Sequence, residues 1–140
     1  MQIADLMTRH VTVVAPDARI PEIAREMRDS DLGAIPVAEN DRLIGMVTDR
    51  DIVVRALPDG RDPSGVTARD VMTGGALYCF ADQTAEDVLQ NMSEVHVRRL
   101  PVVNRDKKLV GIVSLGDLAE EAPPAETGEA LKGIARAAAS

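Results

Sequence analysis

Asp5-Leu6-Met7-Thr8 recurs as Asp70-Val71-Met72-Thr73, and Ala34-Ile35-Pro36-Val37 recurs as Arg99-Leu100-Pro101-Val102. Gly45-Met46-Val47-Thr48-Asp49-Arg50-Asp51 recurs as Gly111-Ile112-Val113-Ser114-Leu115-Gly116-Asp117. Three blocks repeated in the same order restrict the chain to a fold made of two like halves. The first two blocks repeat at an offset of 65 and the third at 66. One extra residue therefore falls in the second copy's counterpart of the turn between Ala38 and Leu43.

Halves of about 60 residues bury too little surface to be comfortable alone, whereas 140 residues, 45% of them hydrophobic, can bury one good core. We therefore expect one pseudo-symmetric domain. Tyr78 and Phe80 are its only Tyr or Phe residues and there is no Trp, so the core must be aliphatic, with six Met to fill gaps. No row of aromatics exists on which nucleic-acid bases could stack. The formal net charge of −7 also argues against a general attraction to nucleic acid or to an anionic membrane. Cys79, the one cysteine, lies in the apolar run Leu77-Tyr78-Cys79-Phe80, which predicts a buried, inert thiol and allows no internal disulfide. No basic-then-apolar leader and no apolar run of about 18 residues is present, so the expectation is a soluble cytoplasmic protein.

Local patterns divide each copy in the same way. Val11-Thr12-Val13-Val14 has the β-branching of a short strand. Ile20, Ile23, Ala24 and Met27 follow at the spacing of one helix face, and Ala85, Val88, Leu89 and Met92 repeat it. Thr84 and Asp87 stand where a helix cap and its partner would; in the first copy Arg19 replaces the Thr and Pro21 falls in the first turn. Two strands joined by the polar Glu39-Asn40-Asp41-Arg42 come next, and 49–57 reads as a second helix. Each copy is thus β-α-β-β-α, giving the boundaries 3–57 for repeat one, 58–67 for a breaker-rich linker, 68–122 for repeat two and 123–140 for an alanine-rich tail. The second copy's closing helix is expected to stop near Pro123-Pro124. The tail reads either as a docking helix or as a frayed end.

This duplication, with a Pro-containing strand and a Gly-h-h-Thr/Ser-x-x-Asp segment closing each copy, resembles the CBS domain. It looks like the stand-alone bacterial two-CBS proteins of the hypoxic response protein type. The resemblance implies an α/β (α+β) fold of two pseudo-symmetric repeats packed as one Bateman module.

From residue types alone, the end of each motif is a strand that stops at a hydroxyl residue, followed three positions on by a carboxylate as a helix begins. Thr48 can cap that helix, its first-turn N–H groups suit phosphate oxygens, and Asp51 can accept two hydrogen bonds from a ribose diol. On the same spacing alone, Thr48 and Ser114 could simply cap helices while the Asp residues decorate first turns. The family resemblance implies composite sites. Site one would combine Thr48, Arg50 and Asp51 with Thr73, Leu77, Val97, Arg98 and Arg99; site two would combine Ser114 and Asp117 with Thr8, Thr12, Leu32 and Gly33. Three arginines favour phosphorylated ligands at site one. Site two has Gly116 in place of Arg50 and Gly33-Ala34 in place of Arg98-Arg99, so it would prefer adenosine-like ligands or stay empty.

His10 and His96 lack companions at metal-ligand spacing, and no phosphate loop or nucleophile-base pattern is present, so no metal and no catalytic apparatus is expected. The implied function is a regulatory module that requires no cofactor and senses AMP, ADP or ATP. It would form a homodimer and act on an effector protein in trans. S-adenosylmethionine or NAD are alternative ligands with the same adenosine handle. A ligand-independent interaction protein is the alternative from another class, and nucleotide hydrolysis is third.

Overall fold

The computed structural model describes residues 1–74 and 77–139. Gly75 and Ala76, inside the second predicted repeat, and Ser140, at the end of the predicted tail, lie outside the described residues. The chain forms two compact units, Thr12–Ala76 and a split unit made of Met1–Val11 with Leu77–Ser140. Packing thus cuts the chain at different places from the repeat, because the leader of each repeat belongs to the unit that holds the body of the other.

In the 12–76 unit, helix α1 (Ile20–Ser30) starts at an extended Arg19 that makes no side-chain cap and carries Pro21 in its first turn. It ends at Asp31, whose backbone is left-handed (φ 53°) and whose N–H bonds to the Met27 carbonyl. Ile20, Ile23 and Met27 are buried as the spacing predicts, but Ala24 is exposed. Strands β1 (Ala34–Glu39) and β2 (Arg42–Thr48) form an antiparallel hairpin in which Ala34 faces Thr48 and Glu39 faces Arg42. Asn40 and Asp41 both have positive φ (54° and 65°), the conformation of the two-residue turn that matches strand twist. Short helix α2 (Asp49–Asp51) widens into a π-helical turn over Ile52–Ala56, so the predicted second helix is not a plain α-helix. Helix α3 (Ala68–Val71) leads into β3 (Thr73–Gly74), which pairs with β2 at Met46 and Gly45. Of the expected strand Val11-Thr12-Val13-Val14, only Val14 pairs, in a parallel bridge to Val37. The predicted linker is partly structural, since Val66 is fully buried in this unit's core with Ile23, Ile35, Val37, Val47, Ala56 and Val71.

The split unit repeats the plan. Strand β4 (Cys79–Phe80) runs parallel to β5 (Arg99–Val103), which is antiparallel to β6 (Leu109–Ser114). Thr8 pairs with Ile112 just as Thr73 pairs with Met46. Helix α4 (Ala85–Val95) begins at the predicted cap, with Asp87 N–H donating to Thr84 Oγ1 at 3.2 Å, and ends at a left-handed His96. The extra residue in the hairpin lies in a longer loop, where the Asn104 side-chain oxygen accepts from the N–H groups of Asp106 and Lys108. Helix α5 (Leu115–Ala119) ends earlier than predicted, and the tail forms helix α6 (Pro124–Ala139).

The tail is a docking helix. Ala130 and Ile134 are 1% and 6% exposed, and the His96 ring nitrogen Nδ1 lies 3.0 Å from the Gly133 carbonyl. This cover explains the Ala24 result. Leu89, its repeat equivalent, is buried in a cluster with Ala130, whereas the described residues of the 12–76 unit include no counterpart of α6. Cys79 is also buried as predicted, and burial pushes its thiol up to about 12.

The repeated Gly and Met residues are explained together. A Cβ on Gly45 would lie 2.7 Å from Met72 Sδ and 2.8 Å from the Thr73 carbonyl oxygen; one on Gly111 would lie 2.9 Å from both Met7 Cγ and the Thr8 carbonyl oxygen. The leader's Met-Thr therefore crosses a strand where no side chain fits. The repeated Asp fixes the turn before it, since Asp5 accepts from Gln2 N–H and Asp70 from Thr67 N–H. The backbone bond from Thr67 is the first cause holding the Asp70 carboxyl below its ordinary value. Gly45→Ala is expected to cost about 1–3 kcal/mol, because the backbone oxygen of Thr73 cannot rotate away. Gly74→Ala, with open space around its Cβ, should have far less effect in the same thermal melt.

Candidate functional site

Each repeated motif ends in a reciprocal helix cap. Thr48 is extended (φ −109°, ψ 162°); its Oγ1 accepts from Asp51 N–H at 3.0 Å, and Asp51 Oδ2 accepts from Thr48 N–H at 2.9 Å. Ser114 and Asp117 do the same at 3.1 and 2.9 Å. The hydroxyls cap helices and the carboxylates sit one turn in, as the spacing predicts. The cap occupies one oxygen of each carboxylate and leaves Oδ1.

Donors at the first helix start are already committed. Asp49 N–H bonds to the Gly33 carbonyl at 3.0 Å, Arg50 N–H to its neighbour's Asp49 Oδ1 at 2.8 Å, and Asp51 N–H to Thr48. The expectation that these N–H groups receive phosphate is therefore corrected at this position. All three are bonded within the protein, and the Arg50 side chain beside them is exposed.

Among the predicted site-one residues, Thr48, Arg50, Asp51 and Thr73 belong to the 12–76 unit, and Leu77, Val97, Arg98 and Arg99 to the split unit. Among those of site two, Ser114, Asp117 and Thr8 belong to the split unit, and Thr12, Leu32 and Gly33 to the 12–76 unit. Within single units some neighbours are firm. Arg99 faces Ser114 in the ladder, and the Arg98 carbonyl accepts from Leu115 N–H at 2.7 Å. Ala34 and Gly33 take those places beside Thr48 and Asp49. A Cβ on Gly33 would stand 3.4 Å from Asp49 Oδ2, so the two helix starts have different neighbours.

One residue escaped the sequence reading. The Arg55 Nη1 group donates to the Val71 carbonyl at 3.0 Å and to the Met72 carbonyl at 3.3 Å, while Nε lies 3.9 Å from Asp51 Oδ1. Its i,i+4 spacing from Asp51 was the signal available. Glu121 stands at the matching place in the second copy, and no ion pair to Asp117 exists among the described residues.

A groove of about 360 Å³ between α4 and α6, lined by Glu86, Leu89, Ser93, Glu126, Glu129 and Ala130 among others, contains none of the motif residues. Among the described residues, no three His, Cys, Asp or Glu side chains gather as metal ligands would. No described helix is long and apolar enough to cross a membrane.

The CBS-domain family model matches residues 3–57 and 68–123. Hypoxic response protein 1 of Mycobacterium tuberculosis is 39% identical over 120 residues, covering 85% of this chain and 83% of the relative. A crystal structure of Hypoxic Response Protein I with two coordinated zinc ions is similar, with a TM-score of 0.79 and 38% identity, over 88% of this chain and all of that one. The zinc is stated of that protein alone. The structure of CBSX2 in complex with AMP has a TM-score of 0.75 and 26% identity, over 85% of this chain and 93% of that one.

Proposed function

This chain belongs to the CBS-domain family and carries two such domains as a Bateman module, and we propose that the module binds an adenine nucleotide and regulates a protein partner in trans. The observation that carries the reading is the pair of capped helix starts, each holding a carboxylate whose Oδ1 remains to accept a ribose hydroxyl. A relative of the same fold crystallised with AMP supports it. In this reading Thr48, Arg50, Asp51 and Thr73, with Leu77, Val97, Arg98 and Arg99, serve the first ligand. Ser114, Asp117 and Thr8, with Thr12, Leu32 and Gly33, serve the second. Adenine would be held by the apolar members and phosphate by arginines, so AMP, ADP and ATP rank above S-adenosylmethionine and NAD.

Thermal melts against AMP, ADP, ATP, adenosine, S-adenosylmethionine and NAD test the proposal. A ligand at a hundred times its Kd stabilises the native state by about 2.7 kcal/mol, which for a chain of this size raises Tm by roughly 10 °C. No shift with any of them at millimolar concentration refutes nucleotide sensing.

A second reading, assembly without ligand, is favoured by one surface. Val53, Val54 and Leu57 are 58%, 48% and 49% exposed on the helical stretch whose other side buries Ile52 and Ala56. An apolar cluster left open in this way suits a homodimer contact. Leu57→Asp combined with Val53→Asp should convert a species of twice the chain mass to one of single mass in light scattering. A wild-type protein that is already monomeric would remove this reading.

A further inference from the structure

We propose that Arg55 is a positioning residue for the first nucleotide site, locking the Asp51 carboxylate to the segment that presents Thr73. The inference rests on the nucleotide reading above and goes beyond it by assigning a role to a residue outside both motifs. Three observations converge. Val71 ends α3, so its carbonyl is one of the groups a helix leaves unbonded, and the Arg55 guanidinium satisfies it from another element at 3.0 Å. The same nitrogen reaches the Met72 carbonyl at 3.3 Å, one residue before Thr73, while Met72 itself lies over Gly45. Nε faces Asp51 Oδ1 at 3.9 Å, the carboxylate oxygen that the cap leaves over.

The backbone supports this assignment. The helix leaves α geometry directly after Asp51, and Arg55 sits within the π-helical turn Ile52–Ala56, a kind of irregularity that recurs at functional sites. The Asp51 side chain is 14% exposed and that of Arg55 is 49% exposed. Arg55 thus fixes one rim of the site while remaining half in water, and its replacement does not open the core. The second copy has Glu121 at this place, so only Asp51 has an arginine beside its capped carboxylate among the described residues. A carboxylate already held in place has less freedom to lose on binding, which makes the first site the tighter of the two.

Isothermal titration of wild type, Arg55→Ala and Arg55→Lys with AMP and with adenosine, well below the melting midpoint, tests the role. A coupling of ordinary size predicts that Arg55→Ala weakens the first site about tenfold for both ligands alike, with Arg55→Lys recovering part of the loss. Equal losses support positioning through the ribose-holding carboxylate. Unchanged affinity together with a lowered Tm overturns the proposal and leaves Arg55 a structural brace. A loss several times larger for AMP than for adenosine also overturns it, by making Arg55 a phosphate contact. Wild type that binds neither ligand removes the nucleotide reading itself and this role with it, an outcome distinct from the first two.

Discussion

Asp51→Ala should abolish the thermal response to adenine nucleotide at the first site, while Asp51→Asn should separate binding from folding. In the proposed function the carboxylate has two duties, since Oδ2 accepts from Thr48 N–H and Oδ1, 3.9 Å from Arg55 Nε, would accept from the ligand. Alanine removes both. Losing the cap costs about 0.5–2 kcal/mol and lowers the ligand-free Tm by several degrees. Losing hydrogen bonds to a charged group costs roughly 1.5–3 kcal/mol each, so two of them amount to about a hundredfold or more in affinity. Asparagine keeps an oxygen for Thr48 N–H but replaces the charge, so its ligand-free Tm should stay near wild type while the response to nucleotide falls steeply. If Asp51→Ala melts lower yet shifts with AMP as wild type does, the carboxylate is a cap alone.

Gly133→Leu should undock the tail helix, and the smaller Gly133→Ala decides between two opposing effects. Helix propensity alone predicts that alanine gains about 1 kcal/mol over glycine within α6. Contact predicts the reverse, because a Cβ at 133 would lie 2.5 Å from Ser93 Oγ and 2.9 Å from the Ser93 carbonyl oxygen. The hydroxyl can rotate; the carbonyl belongs to α4 and cannot. Overpacking of this kind costs about 1–3 kcal/mol, so alanine should be destabilising on balance. Leucine exceeds any local adjustment, and undocking returns Leu89 and Ile134 to water at about 1.5–3 kcal/mol each. The expected result is a Tm lower by about 10 °C or more, on the order set by that loss, with new proteolytic cleavage after 123. A Gly133→Leu protein that melts like wild type and resists protease would mean that the α4–α6 contact contributes little.

The features legible in the amino-acid sequence are local ones. The hairpins, the Thr84 cap and the buried faces of α1 and α4 follow from spacings of two to seven residues, and they can be read for that reason. The capping role of Thr48 is legible too; the saturation of the first-turn N–H groups is not, because one acceptor is the carbonyl of Gly33 on another segment. Ala24 misleads for the same reason. Its spacing matches that of Leu89, and only the presence or absence of a covering helix separates an exposed residue from a buried one. Arg55 touches carbonyls 16 and 17 residues away, and nothing in a local pattern announces such a pair. The exchange of leaders is hidden most completely, since an offset of 65 is the same whichever copy receives the segment.

That exchange bears on how such a chain could have arisen and how it can be cut. A polypeptide with one repeat has no leader of its own to lay over its Gly-bearing strand, because its Met-Thr segment is spent on another body. It could complete itself only by trading leaders with a second molecule, in the manner of a swapped dimer. Joining two such molecules end to end would turn that trade into an internal one, which is the arrangement of the present chain. Severing it in the 58–67 connection would therefore yield two fragments that each lack what the other holds, and they should recover native structure only when mixed.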